Sequence, residues 1–171
     1  MAIEAWLEGP LDGVDPFLMP VAHGLVQVAR DLGPLASLPT PRLWARPGGA
    51  ASVGFHLRHV AGVVDRLLAY ARGEALTEAQ MAALRAEGEP GDPPAGAPAL
   101  VAEATDAIER ALAQVRATPR EALLAPRGVG RKQLPSNVLG LLHHAAEHAT
   151  RHAAQARTTA RILDEMATAR A

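Results

Sequence analysis

The chain has 171 residues, of which 49% are hydrophobic and 20% charged, a balance typical of a folded domain. A chain of this length buries one sizeable core, so we predict a single domain over residues 1–171. The formal net charge is −1 and the longest Lys/Arg cluster is Arg131-Lys132, which argues against nucleic-acid binding. Because the chain has no cysteine, any metal would be held by nitrogen and oxygen ligands.

The amino-terminal segment carries no targeting signal that we recognise. It lacks the basic region and the apolar run of a secretory signal. No stretch of the sequence approaches the roughly 20 uninterrupted apolar residues that a membrane-spanning helix needs. We therefore expect a cytoplasmic protein with no membrane partner. Trp6 and Leu7 lie in an apolar segment that would permit a homodimer.

The spacing of apolar residues predicts four long helices separated by connectors. Capping and stop signals set their ends, for example Ser52 before the second helix and Gly73 after it. In chain order, the predicted elements are a first helix over 16–32, a proline-rich connector over 35–50, a second helix over 53–72, a short helix from 77 to 84, a third long helix over 99–118, a short helical piece over 120–124, a tight loop or small hairpin over 126–135, and a last helix over 137–168 capped by Ser136. The predicted fold is all-α, a four-helix bundle with long connectors and one or two short extra helices.

The histidines are clustered in the sequence. Four of the seven lie between residues 143 and 152, and two more are His56 and His59. Residues four apart on a helix stand one above the other, so His144, His148 and His152 form one ridge. We predict that His148 and His152 point into the bundle, with Gln155 and Thr159 continuing the ridge inward.

A third imidazole is predicted to reach the same place from the second helix. His59 lies beside Val60 on the apolar stripe of that helix. Buried imidazoles without partners cost several kcal/mol, and a shared metal ion removes that cost. The alternative is that these histidines are satisfied by backbone carbonyls or by each other. Three neutral ligands leave coordination positions open, which is typical of a catalytic site, and imidazole suits zinc, nickel, copper and iron.

Three segments of the sequence resemble the DinB/YfiT-like superfamily of bacterial four-helix-bundle metalloenzymes. They are Ser-Val-Gly-Phe-His-Leu-Arg-His-Val-Ala at 52–61, Asp-Arg-Leu-Leu at 65–68, and His-Ala-Thr-Arg-His-Ala-Ala-Gln at 148–155. The resemblance covers most of the chain. It implies a metal triad of one histidine from the second helix and a His-x3-His pair from the fourth, which fall on His59, His148 and His152.

The resemblance also implies a range of functions. Some members of the superfamily resemble transferases or isomerases that use low-molecular-weight thiols. We therefore expect one divalent ion, zinc, nickel or iron, that activates water or a thiol on a small-molecule substrate, as in a hydrolase or a thiol S-transferase. The alternative is a non-catalytic, stress-associated bundle that binds metal. The chain departs from the family pattern at Gly62, Arg151 and Ala154, so no shared acid or base is carried over, and the catalytic residues are not predicted.

Other residues near the triad have weaker signals. His144, Glu147 and His148 match the H-x-x-E-H signature of some zinc peptidases, but that motif needs a further acidic ligand in a larger fold. We expect Glu147 to be a rim carboxylate that pairs with Arg151 one turn later. Arg58 is interpreted as either a solvated arginine or a receptor for an anionic substrate group.

Overall fold

Helices make up most of the chain in the computed structural model, which describes residues 3–169. The elements are α1 (Met19–Leu32), α2 (Thr40–Leu43), α3 (Val53–Arg72), α4 (Glu78–Ala86), α5 (Ala97–Ala117), β1 (Pro126–Val129), β2 (Leu134–Asn137) and α6 (Val138–Thr168). The predicted all-α class is confirmed, and the two strands form only a small antiparallel hairpin. Positions 1, 2, 170 and 171 of the predicted domain lie outside the described residues.

Local capping signals fix the ends of α3 and α6. The Ser52 side chain accepts a hydrogen bond from the Phe55 amide at 3.1 Å, and Gly73 ends α3 with a φ of 81°. At α6 the predicted cap, Ser136, is wrong by one residue. Instead, the extended residue Asn137 accepts a hydrogen bond from the Gly140 amide at 2.7 Å. A side-chain oxygen thereby satisfies one of the amides that the first turn of a helix leaves unpaired.

The four long helices α1, α3, α5 and α6 form the bundle. Both α1 and α3 pack against α5 and against α6. Fully buried leucine, isoleucine and valine side chains fill the space between them; examples are Leu25, Leu57, Ile108 and Leu142. The buried face of α6 is rich in alanine, with Ala145, Ala146, Ala149, Ala153, Ala156 and Ala160. Since helix separation depends on the side chains at the contact, this face lets α6 approach its neighbours closely.

The connectors cover the bundle without adding another core. In the connector after α1, Leu43 is fully buried and Trp44 Nε1 donates a hydrogen bond to the Ala95 carbonyl at 2.9 Å. Helix α4 packs on α3 and buries none of its own residues. Among the described residues, no helix is long and apolar enough to cross a membrane.

Candidate metal centre

The three predicted ligands meet where α3 faces α6. His59, His148 and His152 each offer a ring nitrogen, and these three nitrogens all lie within 4.8 Å of one another. All three side chains are partly buried. His148 and His152 each precede an alanine of the buried face, Ala149 and Ala153. The imidazoles therefore lie at the edge of the α3–α6 interface, between the core and the surface.

The rings of the triad are in close contact. The Nε2 atoms of His59 and His148 are 2.9 Å apart, and the ring centroids of His59 and His152 are 4.2 Å apart. Phe55, one turn before His59, stacks on the His59 ring at a centroid distance of 5.3 Å. An aromatic wall and two neighbouring imidazoles thus restrict the orientation of His59.

Burial and neighbouring positive charges lower the pKa of two triad imidazoles, His148 and His152, and so keep them neutral. Burial, with the positive charges of His59 and His148, lowers the pKa of His152 to about 4. The same causes, burial first and then the charges of His59 and Arg151, lower the pKa of His148. A neutral imidazole keeps a free lone pair at neutral pH, and a metal ligand needs that lone pair.

His56 adds a fourth imidazole beside the triad. It is 5% exposed, and its Nδ1 lies 3.0 Å from Nδ1 of His152, within hydrogen-bond distance. Burial, with the charge of His59, lowers the pKa of His56 to about 4. This contact engages Nδ1 of His152 and leaves Nε2 of the same ring free for an ion.

Sequence reasoning missed a carboxylate that contacts the triad. Glu87, just after α4, is 5% exposed, and its Oε2 lies 2.7 Å from Nδ1 of His59. Its Oε1 lies 2.8 Å from the guanidinium of Arg66, which is 7% exposed. Burial alone would raise the pKa of Glu87, but the hydrogen bond from His59 and the charge of Arg66 outweigh burial and lower that pKa. Glu87 is therefore a buried carboxylate anion. One sequence signal pointed to this carboxylate: Gly62, one turn after His59, is a glycine inside a helix and leaves space beside it.

A second group of possible ligands lies on the outer side of α6. His144, Glu147 and His148 also offer atoms within 4.8 Å of one another; we call this group the outer trio. As predicted, Glu147 pairs with Arg151, at 2.6 Å. The Arg151 guanidinium also lies 3.1 Å from Nδ1 of His148. A cation from the chain itself thus already contacts two members of the outer trio.

Two predicted neighbours of the triad are placed elsewhere. Gln155 is exposed, so the prediction that it points inward is wrong, whereas Thr159 is buried as expected. Arg58 donates hydrogen bonds to the carbonyls of Ala86, Glu89 and Pro90 and lies over the Trp44 ring. Its guanidinium therefore holds the segment after α4 in place.

The donor set fits a divalent ion. In a tetrahedral zinc site with Zn–N bonds of about 2.0–2.1 Å, ligand nitrogens lie roughly 3.3 Å apart. The two Nε2 atoms at 2.9 Å need only a small side-chain opening to reach that separation. Three neutral nitrogens also suit nickel and iron, and the outer contacts from Glu87 and His56 resemble those that orient metal-bound histidines.

One of two comparisons with known proteins found a match. A family model described as the DinB superfamily matches residues 25–156. The matched range contains the triad, His56, Arg66 and Glu87. A comparison with curated proteins gave no match. Since the family model covers well over half of the sequence, the chain belongs to the DinB superfamily.

Proposed function

We propose that this protein is a metal-dependent enzyme in which His59, His148 and His152 bind one divalent ion, zinc, nickel or iron. The supporting observation is that three ring nitrogens from two facing helices lie within 4.8 Å of one another. Membership of the DinB superfamily agrees with this proposal. The substrate is a small molecule, and the reaction is of the hydrolase or thiol S-transferase type.

The side chains around the triad have separable roles in this proposal. A divalent ion with three neutral ligands keeps its charge and an open position, with which it can polarise a water or a thiol. Phe55 and the buried face of α6 exclude water from the inner side of the triad. On the outer side, Glu147 and Arg151 are exposed and charged, and a polar substrate would approach from there.

A second candidate function is a non-catalytic metal-binding bundle associated with stress. One observation favours it: the chain has surface cavities of about 800 and 450 Å³, and no triad residue lines either of them. The larger cavity lies beyond the other end of α3 and is lined by Tyr70, Met81 and Arg131 among others. The two functions differ in whether the ion turns over a substrate.

The experiment combines metal analysis with activity assays. Protein purified without a nickel column is analysed for bound metal beside His148→Ala, and we expect about one equivalent in the wild type and none in the variant. Both are then assayed for hydrolysis of 4-nitrophenyl acetate and for conjugation of glutathione to 1-chloro-2,4-dinitrobenzene. Activity that depends on the metal and is lost in His148→Ala supports the enzyme. Bound metal without turnover supports the second function, and unchanged metal content in His148→Ala would overturn the triad.

We also propose a cytoplasmic location, a low-molecular-weight thiol as the partner substrate, and a homodimer through the amino-terminal segment. Trp6 and Leu7 in that segment are 61% and 58% exposed, which leaves apolar surface for a second copy. Sedimentation velocity of the wild type and of Trp6→Ser tests the dimer.

A further inference from the structure

Glu87 occupies an unusual position for a carboxylate. Helix α4 buries none of its residues, yet Glu87, the residue that follows it, is 5% exposed. Carboxylates are rarely buried so completely unless they have charged partners. The side chain of Glu87 is thus buried although no residue of α4 is, and its contacts must explain this burial.

The ion pair between Glu87 and Arg66 stabilises the fold too little to explain why Glu87 is buried. Its Oε1 lies 2.8 Å from Arg66, but Oε1 is also a buried atom that makes no hydrogen bond with the described residues. The two observations agree if the pair is close in distance but poorly aligned. A buried ion pair with incomplete hydrogen bonding contributes little to stability, since desolvation offsets the attraction. Its other oxygen, in contrast, is 2.7 Å from Nδ1 of His59.

The hydrogen bond to Glu87 sets the tautomer of His59. A carboxylate can only accept, so the contact requires a proton on Nδ1 of His59. In the neutral ring, the lone pair is then on Nε2, which faces Nε2 of His148 at 2.9 Å. This is the nitrogen that the proposed metal centre needs.

The chain leaves room for this arrangement at Gly62. A Cβ atom at position 62 would lie 2.6 Å from Oε1 of Glu87 and 2.6 Å from the Arg66 guanidinium. Gly62 lies inside α3, where glycine costs up to about 1 kcal/mol relative to alanine. This cost is offset if the space is needed for the Glu87 carboxylate.

We infer that Glu87 is a positioning residue of the metal centre: it holds His59 in the Nδ1–H tautomer and offsets part of the charge of the bound ion. This inference rests on the proposed function. Partners of this kind fix the orientation of metal-bound histidines and raise their basicity. Because binding couplings are reciprocal, metal binding also strengthens the contact between Glu87 and His59.

The experiment compares zinc affinities measured by competition with a chromophoric chelator. We expect Glu87→Ala to weaken zinc binding by about 10–100-fold. Glu87→Gln weakens it less, because the amide oxygen still accepts the proton of His59. The matched control is Gln80→Ala, which removes the 2.7 Å contact from α4 to Asp65 and leaves Glu87 in place. Its zinc affinity should equal that of the wild type.

Gly62→Ala is the alternative test variant if Glu87→Ala does not fold. Alanine favours the helix, and the atoms it meets are the ends of flexible side chains, so we expect a stable protein with weaker zinc binding. The double variant with Gly62→Ala and Glu87→Ala should bind zinc no more weakly than Glu87→Ala alone, because both changes act on the carboxylate of Glu87. In nitrogen-15 spectra of the zinc-loaded protein, the Nδ1–H signal of His59 should be protected in the wild type and lost in Glu87→Ala.

The outcomes separate this inference from the proposed function. If the wild type binds no divalent metal, both fail. If the wild type binds zinc and Glu87→Ala binds it equally well, only the role of Glu87 is overturned. An equal loss in Gln80→Ala and Glu87→Ala would also overturn it, since docking of α4 alone would then account for the effect.

Discussion

The triad and the outer trio share His148, yet they differ as metal sites. The triad brings three imidazoles from two helices to a partly buried position, where His56 and Glu87 hold two of the rings. The outer trio comes from one helix, and its His144 and Glu147 side chains are 50% and 41% exposed. Close ligand atoms are thus common to both groups. The triad differs in that all three of its ligands are partly buried and two of them have contacts from Glu87 and His56.

The cations next to the two groups differ as well. The Arg151 guanidinium contacts Glu147 at 2.6 Å and His148 Nδ1 at 3.1 Å on the outer side. Near the triad, the guanidinium of Arg66 is instead paired with Glu87, which separates its charge from the imidazoles. Arg151 thus contacts two ligands of the outer trio and one ligand of the triad, His148, which favours the triad as the metal site.

The largest expected effect comes from removing one imidazole from each group. His59→Ala removes a ligand of the triad only, and we expect zinc affinity to fall by more than about 100-fold, beyond the loss caused by an outer partner. His144→Ala removes a ligand of the outer trio only, and it should leave zinc affinity and stoichiometry unchanged. Isothermal titration of both variants checks this. A loss in His144→Ala with none in His59→Ala would move the site to the outer trio.

The second prediction concerns the pH dependence of the metal-free protein. The folded-state pKa of His56 and of His152 is about 4, below the ordinary value near 6.5, so the unfolded chain binds more protons between these limits. The free energy of unfolding should therefore be highest above pH 6.5 and fall as the pH drops toward 4. We expect a loss of roughly 1–3 kcal/mol across this window from His56.

Urea denaturation at a series of pH values measures this loss. His56→Leu should flatten the dependence, because an apolar side chain replaces a buried imidazole of similar size. His144→Ala should keep it. A wild-type stability that stays constant from pH 7 to pH 4 would contradict the burial of neutral imidazoles beside the triad.

The smallest expected effect comes from Arg151. Its contact with Nδ1 of His148 favours a proton on Nε2 of that ring. A metal ion that binds Nε2 therefore has to displace this proton. Arg151→Gln should raise zinc affinity about two- to fivefold, and it should change stability by less than about 1 kcal/mol because the ion pair with Glu147 is exposed. The matched control is Arg157→Gln, which lies further along α6 and breaks an ion pair with Asp31 of α1. Equal zinc affinities in the two variants would count against this competition.

Local signals made the helices predictable from the sequence. Ser52 and Gly73 define α3 with the bounds that were predicted, because each acts within one turn of the helix end. The start of α6 was placed one residue too early, since Ser136 and Asn137 are both good caps and the sequence does not distinguish between them.

The site was only partly predictable. His148 and His152 follow from helical spacing, and His59 from its apolar stripe and the family resemblance. Gln155 was misplaced because the buried face of α6 is rich in alanines, which carry little hydrophobic signal. Glu87 was missed because it is 28 residues from His59 and reaches it from the end of a separate element, just after α4. Contacts of that kind depend on tertiary packing, and spacing along the sequence does not encode them.

An anomalous-difference map from crystals of the zinc-loaded protein tests the central claim most directly. We expect one peak per chain, about 2.0–2.1 Å from a ring nitrogen of each of His59, His148 and His152. A peak between His144, Glu147 and His148, or the absence of a peak at the triad in crystals that contain zinc, would contradict it.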